Sequence, residues 1–249
     1  VFGDVESGLR ALRSVVTYSD WLAAPRGSIP KWSGMERNRA HQLAVAAVTA
    51  AEVDDDAARL TPEVIEQLLE SYGIEVWAAL PATSEEEAVA AADELGWPVV
   101  LKTTDPRMSR RGEIAGVRLN LENEQSLRSA YLSLSATLDS EARSQLVVQD
   151  MAAAGVQVML RTQEDPLFGP VVSFGLGGAV SELLDDRAYQ IPPMSDADAA
   201  RLIREPDSAS ILFGYGGRRP VDVPALEDLV VRLGRMSDEV PQLAQLDLN

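Results

Sequence analysis

Lys102 closes the run Trp97-Pro98-Val99-Val100-Leu101-Lys102, and it is one of two lysines in a chain whose other cations are arginines. An ammonium is a compact point charge suited to single phosphate oxygens, whereas a guanidinium offers a planar fork. Taken alone, such a lysine is more often an ordinary strand-end charge. A loop follows, Arg107-Met108-Ser109-Arg110-Arg111-Gly112-Glu113-Ile114-Ala115-Gly116. A basic, glycine-bearing loop between two strands can fold over phosphates and donate from backbone N–H groups and guanidiniums. By itself it is usually only solvated. Further on stands Phe174-Gly175-Leu176-Gly177-Gly178, where glycines after an apolar strand let backbone approach a ligand. The spacing is not the dinucleotide fingerprint, because no helix follows. A tight turn or bulge explains the same residues equally well. Acids and an amide, Glu182, Asp185, Asp186, Asp247 and Asn249, fall at predicted strand ends. Oxygen ligands there suit Mg²⁺, which takes one or two protein groups plus phosphates and water. In so acidic a chain each is, singly, more readily a surface charge.

Local punctuation predicts the elements that position these groups. Asp4 caps a helix over 4–16 whose Val5, Leu9, Leu12 and Val16 share a face. Residues 17–34 hold Pro25, Gly27, Pro30 and Gly34 and read as a connection. Residues 35–52 are Ala-rich and helical. Thr61 caps the next helix, Pro62 takes its first position, and Gly73 ends it. Ser84 with Glu87 forms a capping box, and Gly96 stops that helix. A strand over 98–102, a half-buried strand Val117–Leu121, a long helix through Leu127, Tyr131, Leu134 and Leu138, and a strand from Leu146 follow. The second half is richer in strands: Val156–Leu160, Pro170–Phe174, Val180–Leu184 and Gln242–Leu248. Ser195 and Pro224 open helices there. This order predicts two α/β lobes around a cleft, divided near residue 150.

Composition removes whole classes of chemistry. With 249 residues, 46% of them hydrophobic, the chain can bury one large core or two small ones. Its formal net charge is −17, so nucleic acid and anionic membranes are not expected partners. A nucleotide, needing few local cations, stays open. There is no Cys, which removes disulfides and thiolate chemistry and fits a reducing cytoplasm. The sole His, His41, sits in a predicted amphipathic helix and reads as an ordinary surface or half-buried residue. No apolar run of about 18 residues suggests a membrane span. Val1-Phe2 reads as the end of a strand and Leu246-Asp247-Leu248-Asn249 as the inside of one, so both ends are expected to be cut from a longer protein.

From Leu68 to Asn249 the chain resembles the ATP-grasp portion of ADP-forming (NDP-forming) acyl-CoA synthetases. The matching segments are Leu69-Glu70-Ser71-Tyr72-Gly73-Ile74, Gly96–Lys102, Gly116–Leu121, Asp165–Val172, Gly175–Gly178, Pro220-Val221-Asp222 and Leu246–Asn249. The resemblance implies an α/β ATP-grasp fold, two α+β lobes around a nucleotide cleft, with ATP/ADP and Mg²⁺ as cofactors. It implies a tail of a preceding CoA-ligase-like domain over 1–30, a connecting helix over 31–58, an N-terminal lobe over 59–150 and a C-terminal lobe over 151–249, truncated at its end. Fused members often carry a GNAT-type acetyltransferase domain, so covalently linked CoA-ligase and acetyltransferase domains, and acyl-CoA, are expected partners.

Roles carry over by position. Lys102 would hold nucleotide phosphates, with Arg110 and Arg111 beside it. Gln149, Asp150 and Met151 would form the segment between lobes that meets the adenine edge. Gly177 and Gly178 would lie near the transferred phosphate. Asn249 would be a Mg²⁺ ligand, with Glu182 a second candidate and Asp247 beside the phosphoryl path. The departures weigh as much. Active members carry a relay His where this chain has Arg110, and a guanidinium stays protonated and cannot attack phosphorus. The ribose-binding acid corresponds to Gln157, an Arg of a later segment to Gln190, and the first Gly of a Gly-Gly-Val-like segment to Ala115. The expected function is therefore a regulatory or degenerate ATP-grasp domain of a larger acetyltransferase, with no catalytic residue assigned. The alternatives are a working lobe (acid + CoA + ATP to acyl-CoA + ADP + phosphate) and a docking module that binds nothing.

Overall fold

The computed structural model describes residues 4–50, 59–105, 116–178 and 183–249. They form two compact units, Glu75–Gly155 and the remainder on either side of it. In chain order the helices are α1 (Val5–Ala23), α2 (Arg37–Ala50), α3 (Pro62–Ser71), α4 (Glu85–Leu95), α5 (Glu124–Thr137), α6 (Ser140–Ser144), α7 (Asp196–Arg204) and α8 (Val223–Glu239). The strands are β1 (Ala79–Pro81), β2 (Val99–Thr103), β3 (Val117–Leu121), β4 (Leu146–Asp150), β5 (Val158–Asp165), β6 (Gly169–Leu176), β7 (Arg187–Gln190) and β8 (Gln245–Leu248).

The smaller unit is a four-stranded antiparallel sheet in the order β1-β4-β2-β3. Helices α4 and α5 pack on its strands. Val99 and Leu101 of β2, Leu146 and Val148 of β4 and Leu121 of β3 share a buried core with Ala88, Ala92, Leu127, Tyr131 and Leu134. Side chains alternate across a strand, so Lys102, Val147 and Gln149 belong to the sheet's other face. Caps fix the helix starts. The Ser84 hydroxyl accepts from the Glu87 amide at 3.2 Å, while the Glu87 carboxylate turns to the Thr83 amide rather than closing the expected box. Asn123 and Ser126 complete a reciprocal box at α5.

The larger unit holds a second antiparallel sheet, β7-β6-β5-β8. Helices α7 and α8 lie against β5, β6 and β7. Leu160, Val172, Phe174 and Ala188 of the sheet are buried with Leu202, Ile203, Val230, Leu233 and Met236 of the helices, and Leu69 and Tyr72 join the same core. Ser195 and Asp198 form the capping box of α7, and Asp222 caps α8 just before Pro224.

Three expectations move. Helix α1 runs to Ala23 instead of stopping at 16, because the helix-breaking residues begin only at Pro25. Leu183 and Leu184 are helical, and the strand expected over Val180–Leu184 is instead Arg187–Gln190; residues 179–182 lie outside those described. Strand β5 continues past Leu160 to Asp165, because its partner β6 is apolar and long enough to pair with a polar continuation.

One half-buried carboxylate ties the helices of the larger unit together. Glu239, at the end of α8, accepts from Arg235 at 2.9 Å, from the Tyr72 hydroxyl at 3.1 Å and from Arg37. Burial pushes its carboxyl up, but these donors together outweigh burial and hold it below its ordinary value of 4.5. A depressed acid contributes stability that is complete above its unfolded value and is lost as pH falls through its folded value. Glu239→Gln is therefore expected to lower unfolding stability near pH 7 by about 2 kcal/mol, the scale of a hydrogen bond to a charged group. The gap from wild type should narrow below pH 4.5 in urea melts; a gap that stays constant with pH would contradict the assignment.

Candidate functional site

The smaller unit brings two of the expected nucleotide residues onto one sheet face. Lys102 pairs in register with Val147 of β4 and Val117 of β3, and Gln149 pairs with Val100, so both project opposite the helical core. Lys102 is half-buried, and burial lowers the pKa of its ammonium. Among the described residues no carboxylate pairs with it. The Gln149 amide donates to the Trp77 carbonyl at 2.9 Å, which fixes its orientation. Asp150 is exposed at the strand end, and the Met151 N–H donates to the Pro98 carbonyl at 3.2 Å, so that amide is committed within the unit. Arg110, Arg111, Ala115 and Glu182 lie outside the described residues.

In the larger unit the open sheet face is a grid fixed by register. One row reads Asp247 (β8), Arg161 (β5), Ser173 (β6), Tyr189 (β7), and beside it run Gly175 and Arg187. Arg161 grips Asp247 with two parallel bonds, Nε to Oδ1 at 2.6 Å and a terminal nitrogen to Oδ2 at 3.0 Å. The Gln245 amide adds a bond to Oδ2 at 3.1 Å. Both oxygens of the acid expected beside the phosphoryl path are thus occupied. Asn249 is exposed at the end of the same strand. Asp186, one of the acids expected at a strand end, is a cap: it accepts from the Asp207 and Ser208 amides at 2.9 Å and from the Ser208 hydroxyl, which hold its carboxyl below the usual range. Asp185 lies 3.5 Å from Arg187 Nε. These donors do not fit a divalent cation, since the one carboxylate beside Asn249 is already neutralised. Among the described residues no group of three His, Cys, Asp or Glu could hold a metal.

The glycines serve packing in two different ways. A Cβ at Gly177 would stand 2.6 Å from Gln157 Cγ, and the Gly177 N–H donates to the Gln157 carbonyl at 2.8 Å. Gly177 therefore makes room for the exposed Gln157. Gly178 has φ +99 with nothing near its missing Cβ, so the turn itself needs glycine there. At Gly175 a Cβ would meet the Asp186 carbonyl at 2.8 Å and Arg187 Cγ at 3.2 Å, so this glycine lets the Arg187 stem lie across β6.

This face also forms a cavity of about 430 Å³, lined by Arg161, Gln163, Asp165, Phe168, Val171, Ser173, Arg187, Tyr189, Gln190 and Ile191. Most of these residues carried no sequence signal, since a strand ending at Leu160 puts Arg161 and Gln163 in a loop. The alternation Leu160-Arg161-Thr162-Gln163 was the available clue. His41 lies on α2, exposed, with Nε2 at 3.3 Å from the Gln242 amide nitrogen.

Known proteins resemble the chain along most of its length. The ATP-grasp domain family matches residues 51–249. The chain is 34% identical over 191 residues to the acetate–CoA ligase (ADP-forming) I beta subunit of Pyrococcus furiosus, covering 74% of this chain and 81% of that subunit. It is 26% identical over 253 residues to the 4-hydroxybutyrate–CoA ligase (ADP-forming) of Nitrosopumilus maritimus, covering 98% of this chain but 35% of that protein. A solved acetyl-coenzyme A synthetase 1 of Ca. Korarchaeum cryptofilum, in complex with coenzyme A and Ca-AMPCP, is 37% identical with a TM-score of 0.67 over 73% of this chain and 81% of that one.

An ammonium whose pKa is lowered by burial destabilises the fold while it stays charged. The penalty is complete below its folded pKa and vanishes above the unfolded value of 10.5. Lys102→Met should raise the urea midpoint of the ligand-free chain near pH 7, and the advantage should shrink as pH approaches 10.5. A destabilised variant at neutral pH would show that the ammonium is already satisfied.

Proposed function

The chain belongs to the ATP-grasp family, and from that premise we propose that it is the nucleotide-binding domain of an acyl-CoA synthetase-like protein with a regulatory or degenerate role. The observation that carries the nucleotide half is Lys102: a half-buried ammonium on an open sheet face with no carboxylate partner among the described residues. Such a group gains from an anion, and a phosphate oxygen is the natural one. Gln149, Asp150, Met151, Gln157, Gly177 and Gly178, with Arg110 and Arg111, are the further contacts that the resemblance gives this reading. ATP or ADP, when bound, would supply the phosphoryl group. The chain's own residues would bind and orient the nucleotide.

The regulatory half rests on Asp247. Its carboxylate is held by a guanidinium fork and an amide, so it is not poised for a metal or a phosphoryl group. The only His is on α2 as an exposed side chain. Acyl-CoA as a second ligand, linked CoA-ligase and acetyltransferase domains and a cytoplasmic setting belong to the same proposal and rest on the resemblance. Among the described residues no helix is long and apolar enough to cross a membrane.

A second reading, a working lobe of an ADP-forming acyl-CoA synthetase, is favoured by the chain's coverage of 81% of the Pyrococcus furiosus beta subunit. One pair of measurements separates the two. Calorimetry with Mg·ADP should give saturable heat that Lys102→Ala removes, and 100 Kd of nucleotide should stabilise the chain by about 2.7 kcal/mol. Acyl-CoA formation by the full-length protein, abolished by Lys102→Ala, would establish the working lobe. Absence of heat with Mg·ADP, Mg·ATP and acetyl-CoA would leave a docking module.

A further inference from the structure

Residues 24–36 form neither helix nor strand, yet they are tied down repeatedly along the larger unit. At the first anchor the Ser28 amide donates to Asp196 Oδ1 at 2.7 Å and its hydroxyl donates to Oδ2 at 3.1 Å. The Asp196 amide donates back to the Ser28 carbonyl at 3.0 Å. The approach is close: a Cβ on Gly27 would stand 2.7 Å from Ala197 Cβ. The Pro30 carbonyl then accepts from Arg235 at 3.4 Å. The Trp32 indole donates to Asp228 at 2.9 Å, and the Arg232 guanidinium lies over its ring, 4.8 Å from the centroid. The segment is a strap that meets the start of α7 and then the side of α8.

The strap ends on one short stretch of chain. The Glu36 amide donates to the Ser71 carbonyl at 2.9 Å. Arg37 donates to Glu239, which also receives the Tyr72 hydroxyl. Arg232, over the Trp32 ring, donates to the Tyr72 carbonyl at 2.8 Å, and a Cβ on Gly73 would meet the same guanidinium at 2.5 Å. Ser71, Tyr72 and Gly73 are thus held by an amide, a carboxylate and a guanidinium. They stand just before the chain leaves the larger unit, between Ile74 and Glu75. The strap itself is lightly buried. Trp32 and Met35 are only partly covered by the core, and residues 25–29 are exposed. Segments with few buried apolar contacts and exposed hydrogen bonds open locally, ahead of the core. Opening this one removes the Glu36 amide from Ser71 and the Trp32 ring from Arg232 together.

We propose that residues 27–37 are a latch on the crossing at Ile74. Strap and crossing open as one cooperative unit, ahead of the sheet, so the seating of the N-terminal segment sets how freely the chain moves at residues 72–75. The Ser28–Asp196 anchor, at the far end of the strap from Glu36, belongs to the same unit. The latch uses none of the residues assigned to the nucleotide and does not depend on that assignment.

Native-state hydrogen exchange of the whole chain in low urea tests this. The Glu36, Gly73 and Ile74 amides, bonded to Ser71, Glu70 and Leu69, are expected to share one protection level and one urea dependence, below those of β5 and β6. Asp196→Ala cuts the strap at its α7 end. It should lower protection at Gly73 and Ile74 by about tenfold, the scale of a lost hydrogen bond to a charged group, and leave β5 and β6 unchanged. Trp32→Ala should lower the same amides further, and Trp32→Phe, which keeps a ring under Arg232, should restore most of the loss. An effect of Asp196→Ala confined to the neighbourhood of Ser28 would overturn the latch. So would an equal loss of protection throughout the larger unit, or wild-type Gly73 and Ile74 amides as protected as those of β5 and β6. If Trp32→Ala fails to fold, Asp196→Ala decides alone, because its side chain meets the strap at an exposed position.

Discussion

A strand must send alternate side chains to opposite sides, and each sheet of this protein has helices packed against one side. That constraint decides everything chemical about the chain. In the smaller unit it buries Val99 and Leu101 under α4 and α5 and sends Lys102 the other way. In the larger unit it buries Leu160 and Phe174 and presents Arg161, Ser173 and Tyr189 on the far side. Neither open face is built from a loop. Both are the obligatory reverse of a hydrophobic core, and their geometry is therefore as rigid as that core.

Two cationic groups on these faces have opposite status. Arg161 is engaged by Asp247 through two parallel hydrogen bonds. Lys102 has no such partner among the described residues, and its burial makes an anion the natural complement. The family frame of an ATP-grasp domain thus carries one unpaired ammonium and one guanidinium already engaged within its sheet.

Much of the fold was legible from local signals. Ser195 and Pro224 mark helix starts because a cap or a first-turn proline acts between neighbours in sequence. The apolar runs at 99–101, 146–148 and 170–174 mark strands for the same reason. What escaped was set by partners distant in sequence. Strand β5 extends through the polar Arg161–Asp165 because β6 and β8 pair with it, and the short alternation at 160–163 was the one local hint. The same holds at the site. Lys102 and Gln149 could be named from the resemblance, whereas the cluster of Arg161, Ser173, Arg187 and Tyr189 exists only through cross-strand register. Gly175, open from sequence to either ligand approach or a tight turn or bulge, accommodates a side chain of its own sheet.

The ordering of strand lengths has its own consequence. In the larger unit the two eight-residue strands β5 and β6 lie inside the sheet, and one edge is the four-residue β7. In the smaller unit one edge is the three-residue β1, which ends in Pro81 and so lacks a donor there. Unpaired backbone along a sheet margin is the usual template for adding foreign strands, and short, proline-bearing or charged margins blunt it. Together with a formal charge of −17, these margins disfavour fibril-like self-assembly.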